Sequence, residues 1–227
     1  MIRRLSLENI LSFQSLPRLE LQQVNVLVGP NMSGKTNLLR VLKFLIRALS
    51  PPPMGVGVQQ AIREYGGMPE LCWKGSKALS FSIEIEIEWF RQDLKRLVRY
   101  EYGLSVEESF SSHSVEVSKE HLYRLEGEKK EPIFEAERGI LQSLTPKVLP
   151  LNTTFPSEKS FLEVFGVEGF EGTIFRQYIG QWRFYQLIPT FMRQPNFGVL
   201  IPFLFSFREW SEFFKLVAFI ATESSIF

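Results

Sequence analysis

Residues 29–36 read Gly-Pro-Asn-Met-Ser-Gly-Lys-Thr. The spelling is Gly-x-x-x-x-Gly-Lys-Thr, a phosphate-binding loop, and each position has a chemical reason. Gly29 and Gly34 let the backbone turn tightly, so that successive N–H groups point into one nest around a β-phosphate. Lys35 reaches the β- and γ-phosphates as a mobile point charge. The Thr36 hydroxyl offers a hard oxygen ligand to Mg²⁺. A helix starting here adds the positive end of its dipole beneath the phosphates. Pro30, Asn31, Met32 and Ser33 form the rest of the loop, and Asn37 follows it. Gly29 through Asn37 are therefore the candidate nucleotide-binding residues, with Thr36 the candidate metal ligand.

Such a loop works only between a strand and a helix. Before it, Val24, Val26, Leu27 and Val28 make a short apolar run, which predicts a buried strand. After it, Leu38, Val41, Leu42, Leu45 and Leu49 recur at helical spacing, with Arg40, Lys43 and Arg47 opposite. Ile2, Leu5 and Leu7 predict a first strand and Leu19 to Leu21 a second. Pro51-Pro52-Pro53 ends the helix, because proline cannot continue it. Ala61 to Tyr65 predicts a helical turn stopped by Gly66-Gly67.

Residues 79–89 carry the clearest strand signal. Leu79, Phe81, Ile83, Ile85, Ile87 and Trp89 alternate with Ser80, Ser82, Glu84, Glu86 and Glu88. Period two means one buried face and one wet face, which favours an antiparallel sheet. Val98, Tyr100 and Tyr102 continue the pattern and predict a hairpin. Val115 and Val117 suggest another strand. Leu122–Leu125 and Ile133–Ala136 suggest two more, flanking a turn at residues 127–130. Residues 79–138 thus read as an antiparallel meander. Residues 141–160 read as a loop, Phe161–Phe165 and Phe170–Ile179 as short helices, and Trp182–Ile188 as a strand.

The bulk values exclude several classes. The chain has 227 residues, 44% hydrophobic and 22% charged, which are globular values. A net charge of +1 gives no global field toward nucleic acid or membrane. The single Cys72 excludes an internal disulfide and fits a reducing, cytoplasmic setting. No run reaches the roughly 20 apolar residues of a membrane span.

The first 50 residues resemble the amino-terminal part of RecF/SMC-like ATPases of the AAA and ABC type. Leu7-Glu8-Asn9-Ile10-Leu11-Ser12-Phe13 is similar to that branch's opening strand and its Asn-Phe-x-Ser-Phe turn. Val26 to Leu39 matches through its Gly-Pro-Asn opening and the Asn-Leu-Leu after the threonine. Gly66-Gly67 to Trp73, and Trp182-Arg183-Phe184-Tyr185 ahead of Met192-Arg193-Gln194-Pro195, are looser matches. One departure is Leu11, where many relatives carry Arg or Lys near the nucleotide. The resemblance implies ATP, Mg²⁺ and a head that dimerises around ATP. Relatives act in DNA repair, chromosome maintenance or phage defence. It also implies an α/β fold: a P-loop NTPase, ABC/SMC-head-like, whose amino-terminal lobe carries the inserted antiparallel β meander. On this reading residues 1–196 are an incomplete ATPase domain, with a strand–loop–helix core at 1–50 and the insert at 79–138.

Hydrolysis in that family uses four apolar residues followed by Asp-Glu. Asp93 is the only Asp of the chain, and Arg91-Gln92 precedes it, so it cannot fill that role. No Ser-Gly-Gly signature appears. The carboxy-terminal lobe that carries both reads as missing. Residues 197–227 instead hold eight Phe in 31 positions. A one-base shift of plausible codons over Phe214–Phe227 yields the Asn-Leu…His-Pro segment of relatives, which suggests out-of-frame translation of an interrupted gene. A natural aromatic helix docking on a partner is the other reading. Two functions stay open: an ATP-binding part of an ATPase, or an interaction module pairing with a separately encoded carboxy-terminal half. Whether the chain itself is an enzyme is open too.

Other side chains carry less. Glu84, Glu86 and Glu88 share a strand face, which reads as a solvated face paired with Lys95 or Arg99. Arg91, Lys95, Arg96 and Arg99 read as a charged hairpin end or as a DNA-phosphate contact. His113 and His121 lack metal-ligand spacing with Cys72. Trp182 and Tyr185 read as core.

Overall fold

Alternation of apolar and polar residues builds the molecule's one large element. The computed structural model describes residues 1–109, 114–127, 129–145 and 149–185. The chain opens with β1 (Ile2–Ile10) and β2 (Phe13–Glu20), an antiparallel hairpin. Helix α1 (Lys35–Leu49) follows, then α2 (Val58–Glu64) and α3 (Met68–Leu71). Strands β3 (Ser80–Arg91), β4 (Arg96–Glu108), β5 (Val115–Glu126), β6 (Lys129–Glu137) and β7 (Ile140–Leu144) come next. Short helices α4 (Phe161–Val164) and α5 (Glu171–Gly180) end the described chain.

The seven strands of the described residues lie in one antiparallel sheet, ordered β2-β1-β3-β4-β5-β6-β7. The meander is thus continuous with the amino-terminal hairpin, because β1 pairs with β3 from Ile2↔Ile87 to Glu8↔Ser82. Pro17 sits in β2, at the sheet edge, where a missing N–H costs no ladder bond.

The sheet buries one face. Leu5, Leu7, Ile83, Ile85, Ile87, Tyr100, Tyr102 and Leu104 are almost fully enclosed. Helix α1 covers them with Val41, Phe44, Leu45 and Leu49, the expected helical stripe, while Arg40 and Lys43 stay in solvent. The Phe44 ring meets Phe81 edge-on at 5.6 Å. Helix α5 adds Phe175 against Tyr102, and Tyr178 stacks on Trp89 at 4.3 Å. Helix α4 brings Phe161 to within 4.9 Å of Phe134.

The opposite face is polar, as period two requires. Arg99 bridges Glu86 and Glu88, Arg4 pairs with Glu86, and Lys130 covers Glu101. These long cationic side chains bury Glu86 and Glu101 beneath them. Lys95 takes no part in these pairs. The His121 ring lies flat on Gly103, where any β-carbon would sit 2.2 Å from its Cε1. Burial holds the His121 imidazole below its ordinary pKa.

Several sequence expectations change. Val24–Val28 forms no strand, and Val24, Val26 and Val28 face solvent. A strand forms only by pairing with a neighbour, and none of the seven described strands pairs with this run. The second strand begins at Phe13 and stops before Leu21. Val115–Val117 and Leu122–Leu125 belong to one strand, not two. A register shift between Ser105 and Val106 leaves Ser118 unpaired on β5, so the inward phase passes from Val117 to Glu120 and Leu122. Residues 141–144, expected in a loop, belong to β7. Residues 182–185 are not a strand, and 186–188 lie outside the described residues, as do His113 and the Phe-rich tail. Trp182 is buried, but Tyr185 is half exposed. Among the described residues no helix is long and apolar enough to cross a membrane.

Candidate functional site

The loop sits at the start of α1, as its spelling requires. Gly34 is the N-cap, with φ 90°. That left-handed conformation favours glycine. Space imposes the same choice, because a β-carbon on Gly34 would lie 2.9 Å from Ser12 Oγ and 3.7 Å from the Phe13 ring. Gly29 is needed for a different reason. Its φ is ordinary, but a β-carbon there would meet Ser33 Oγ at 2.9 Å. The second left-handed residue of the loop is Met32, with φ 66°.

Lys35 closes the loop on itself. Its ammonium donates to the Gly29 carbonyl at 2.5 Å, the Pro30 carbonyl at 2.7 Å and Ser33 Oγ at 3.2 Å. The loop backbone adds a Ser33 N–H to Pro30 carbonyl bond of 3.3 Å. Thr36 is exposed beside it. Asn37 receives a 3.4 Å hydrogen bond from Arg40. Asn31 and Met32 point into solvent. The Lys35 ammonium thus takes three oxygens of its own loop, from Gly29, Pro30 and Ser33.

The β1–β2 turn reaches the same place. Leu11 is left-handed, with φ 52°, and buried. Its N–H bonds the Leu71 carbonyl at 2.7 Å, and the Trp73 N–H bonds the Asn9 carbonyl at 2.9 Å. These bonds tie the hairpin tip to the end of α3 and the residues just after it, with Ser12 and Phe13 beside the loop. The Asn-Ile-Leu-Ser-Phe spelling marks this turn in the sequence, but its contact with Gly34 depends on the fold.

Residues 24–144, just over half of the chain, match the family described as AAA domain, putative AbiEii toxin, type IV TA system. The chain belongs to this family. It carries an AAA-type P-loop domain, of a nucleotide-binding class. The match begins at Val24, just before the loop, and ends at Leu144, the last residue of β7. None of the curated proteins matches the chain.

The AAA domain suits a nucleotide on its own geometry. Lys35 Nζ already lies among loop oxygens, Gly34 takes the left-handed turn before the helix, and α1 starts directly after it. Gly29–Lys35 would hold the phosphates and Thr36 would face Mg²⁺, which screens charge on the phosphates when bound. Among the described residues no three His, Cys, Asp or Glu side chains converge on a cation site.

The remaining charged candidates have structural duties. Arg91 is buried and donates to Asp93, to the Tyr100 hydroxyl and, at 3.5 Å, to Glu171. The bond from Arg91 holds the Asp93 carboxyl below its usual range. Arg124 donates to Glu171 at 2.6 Å and also to Glu131. Glu171 opens α5, so this cluster fastens that helix to β3, β4 and β5. Arg96 pairs with Glu126.

Glu120 was not among the sequence candidates. It points into the core from β5 and is 2% exposed. It accepts from Ser160 Oγ at 2.6 Å, the Phe161 N–H at 2.5 Å and the Tyr102 hydroxyl at 2.9 Å. Burial pushes its carboxyl up to about 6, against the pull of these donors. Its only sequence signal is a carboxylate at a position whose strand neighbours face inward.

Proposed function

We propose that the chain binds ATP with Mg²⁺ through residues 29–37, as part of a RecF/SMC-like ATPase of the cytoplasm. One observation carries the reading: the Lys35 ammonium, at the start of α1, is held by the Gly29 and Pro30 carbonyls of the loop, partners that phosphate oxygens would replace. Hydrolysis would need acidic groups that the chain does not spell, since its one Asp is engaged by Arg91. Turnover is therefore assigned to an assembly, either a dimer of heads or a complex with a carboxy-terminal half. DNA stays a candidate partner of that assembly, but Arg91, Arg96 and Arg99 are already paired with carboxylates here. Titration calorimetry with ATP and Mg²⁺ tests the reading. Saturable one-site binding supports it, and no heat at millimolar nucleotide refutes it.

The interaction-module reading has its own support in the uncovered valines at 24, 26 and 28. On that reading the chain is one half of a split ATPase. Co-purification with a downstream-encoded chain carrying an apolar-Asp-Glu motif tests it.

A further inference from the structure

Helix α1 is buried on every side but one. Beyond the phosphate loop its exposed side chains are Thr36, Arg40 and Lys43, with Asn37 and Arg47 half-buried. Thr36, Arg40, Lys43 and Arg47 stand three or four residues apart, so they form one row along the helix. The row runs roughly 16 Å from the lip of the loop. Counting Lys35, α1 carries four cations and no acid, in a chain whose net charge is +1.

A solvated helix face ordinarily mixes its signs, because like charges three or four residues apart repel. Here Arg40 and Lys43 are neighbours across one turn, and Lys43 and Arg47 across the next. Among the described residues, only Arg47 of this row meets a carboxylate, that of Glu64 at 2.6 Å. Arg40 and Lys43 lie against rings instead. Arg40 Cζ sits 5.4 Å from the Tyr65 ring centre, and Lys43 Nζ 5.4 Å from that of Phe184. Arg183, beside Phe184, donates to the Gly180 and Trp182 carbonyls and is exposed. Tyr185 is 48% exposed. The β3–β4 hairpin is the opposite case, since its Arg91, Arg96 and Arg99 are all neutralised by carboxylates.

Unbalanced cations interleaved with rings suit a single nucleic-acid strand, whose phosphates follow the cations while its bases stack on the rings. The row is one side chain wide, which fits one backbone and not the two of a duplex. An acidic peptide would engage the cations and leave the rings idle. We propose that Arg40, Lys43 and Arg183 bind the phosphate backbone of a single-stranded nucleic acid, with its bases against Phe184 and Tyr185. The inference goes beyond ATP binding and does not depend on it, because its cations lie outside residues 29–37.

Fluorescence anisotropy on the full chain tests it, with a labelled deoxythymidine strand of about 20 nucleotides, longer than one binding site. Binding is expected at roughly 10⁻⁴–10⁻⁶ M, the range of sequence-independent contacts. Log affinity is expected to fall with log salt at a slope near −2, about 0.7 for each of three phosphate contacts. Arg40→Gln with Lys43→Gln is expected to weaken binding at least ~10-fold and to flatten the slope to about −0.7. Lys95→Gln, in the β3–β4 turn, is expected to change neither. A uridine strand of the same length is the second probe, and the tighter of the two identifies the strand as DNA or RNA. No binding of either strand overturns the proposal, and so does equal binding by the double variant. Stronger displacement by the duplex, or by polyglutamate, overturns the choice of a single strand. A slope near zero in the unaltered chain overturns it whether or not the double variant folds.

Discussion

The Lys35 ammonium donates to the Gly29 carbonyl, six residues earlier, at 2.5 Å. The charge that would contact a nucleotide's terminal phosphates is thus parked on the loop's own oxygens. Binding exchanges carbonyl partners for phosphate partners, and the gain is the difference between the two.

Lys35→Ala removes that charge and leaves the backbone nest. ATP affinity is expected to fall at least ~10-fold, or ~1.4 kcal/mol, a modest value for a charge-assisted contact. Calorimetry on both proteins checks it. Equal affinities would mean that the nucleotide does not sit in this loop.

Gly34→Ala strains the loop and leaves its charge intact. The residue keeps φ near 90°, and its new β-carbon meets Ser12 Oγ. A left-handed Ala costs roughly 1 kcal/mol, which lowers the melting temperature by roughly 2–4 °C in a chain of this size. Nucleotide affinity is expected to fall as well, because the turn before α1 must shift. Thermal scans with and without ATP separate the two effects.

Thr36→Ala tests the metal ligand. Nucleotide binding without metal is expected to stay near wild type, while the strengthening by added Mg²⁺ shrinks. Identical Mg²⁺ responses in the two proteins would remove Thr36 from the site.

Glu120 predicts a pH effect of definite sign. Its carboxyl titrates near 6 in the folded chain, above the ordinary 4.5. The native state therefore holds this proton more tightly than the unfolded state. Stability from this group is full below pH 4.5 and is lost as pH rises through 6, by about 2 kcal/mol. Denaturant titrations of wild type and Glu120→Gln between pH 4.5 and 7 check it. The difference between the two curves should carry that slope, and parallel curves would contradict it.

Phosphate release by the 227-residue chain alone is expected to stay below ~1 s⁻¹, the low end of ordinary turnover. Faster release would show that one of its Glu residues, or a second copy, activates the attacking water.

Local patterns were readable from the sequence, and lateral ones were not. Helix α1 was legible because its stripe from Leu38 to Leu49 repeats every turn and the loop before it has one spelling. Strand β3 was legible because its alternation runs unbroken from Phe81 to Trp89. The bulge at Ser118 split β5 in two, because a period-two reading fails at one unpaired residue. Val24–Val28 has a strand's composition, but strandhood also needs neighbours that no local pattern supplies. The same limit hid Glu120, whose donors lie 18 to 41 residues away. It also hid Ser12, which meets Gly34 only because β1 is seated in the sheet.

That seating makes β1 a gauge. The strand is clamped by β2 on one side and β3 on the other, and its far end stops at the turn that touches Gly34. The number of residues between the clamp and the turn sets how far Ser12 protrudes. One inserted residue would advance the tip by about 3.3 Å, into the loop, and would turn every following side chain to the other face. Substitutions along β1 are thus tolerable where changes of its length are not. The hairpin acts on the site as a measured spacer, through distance alone.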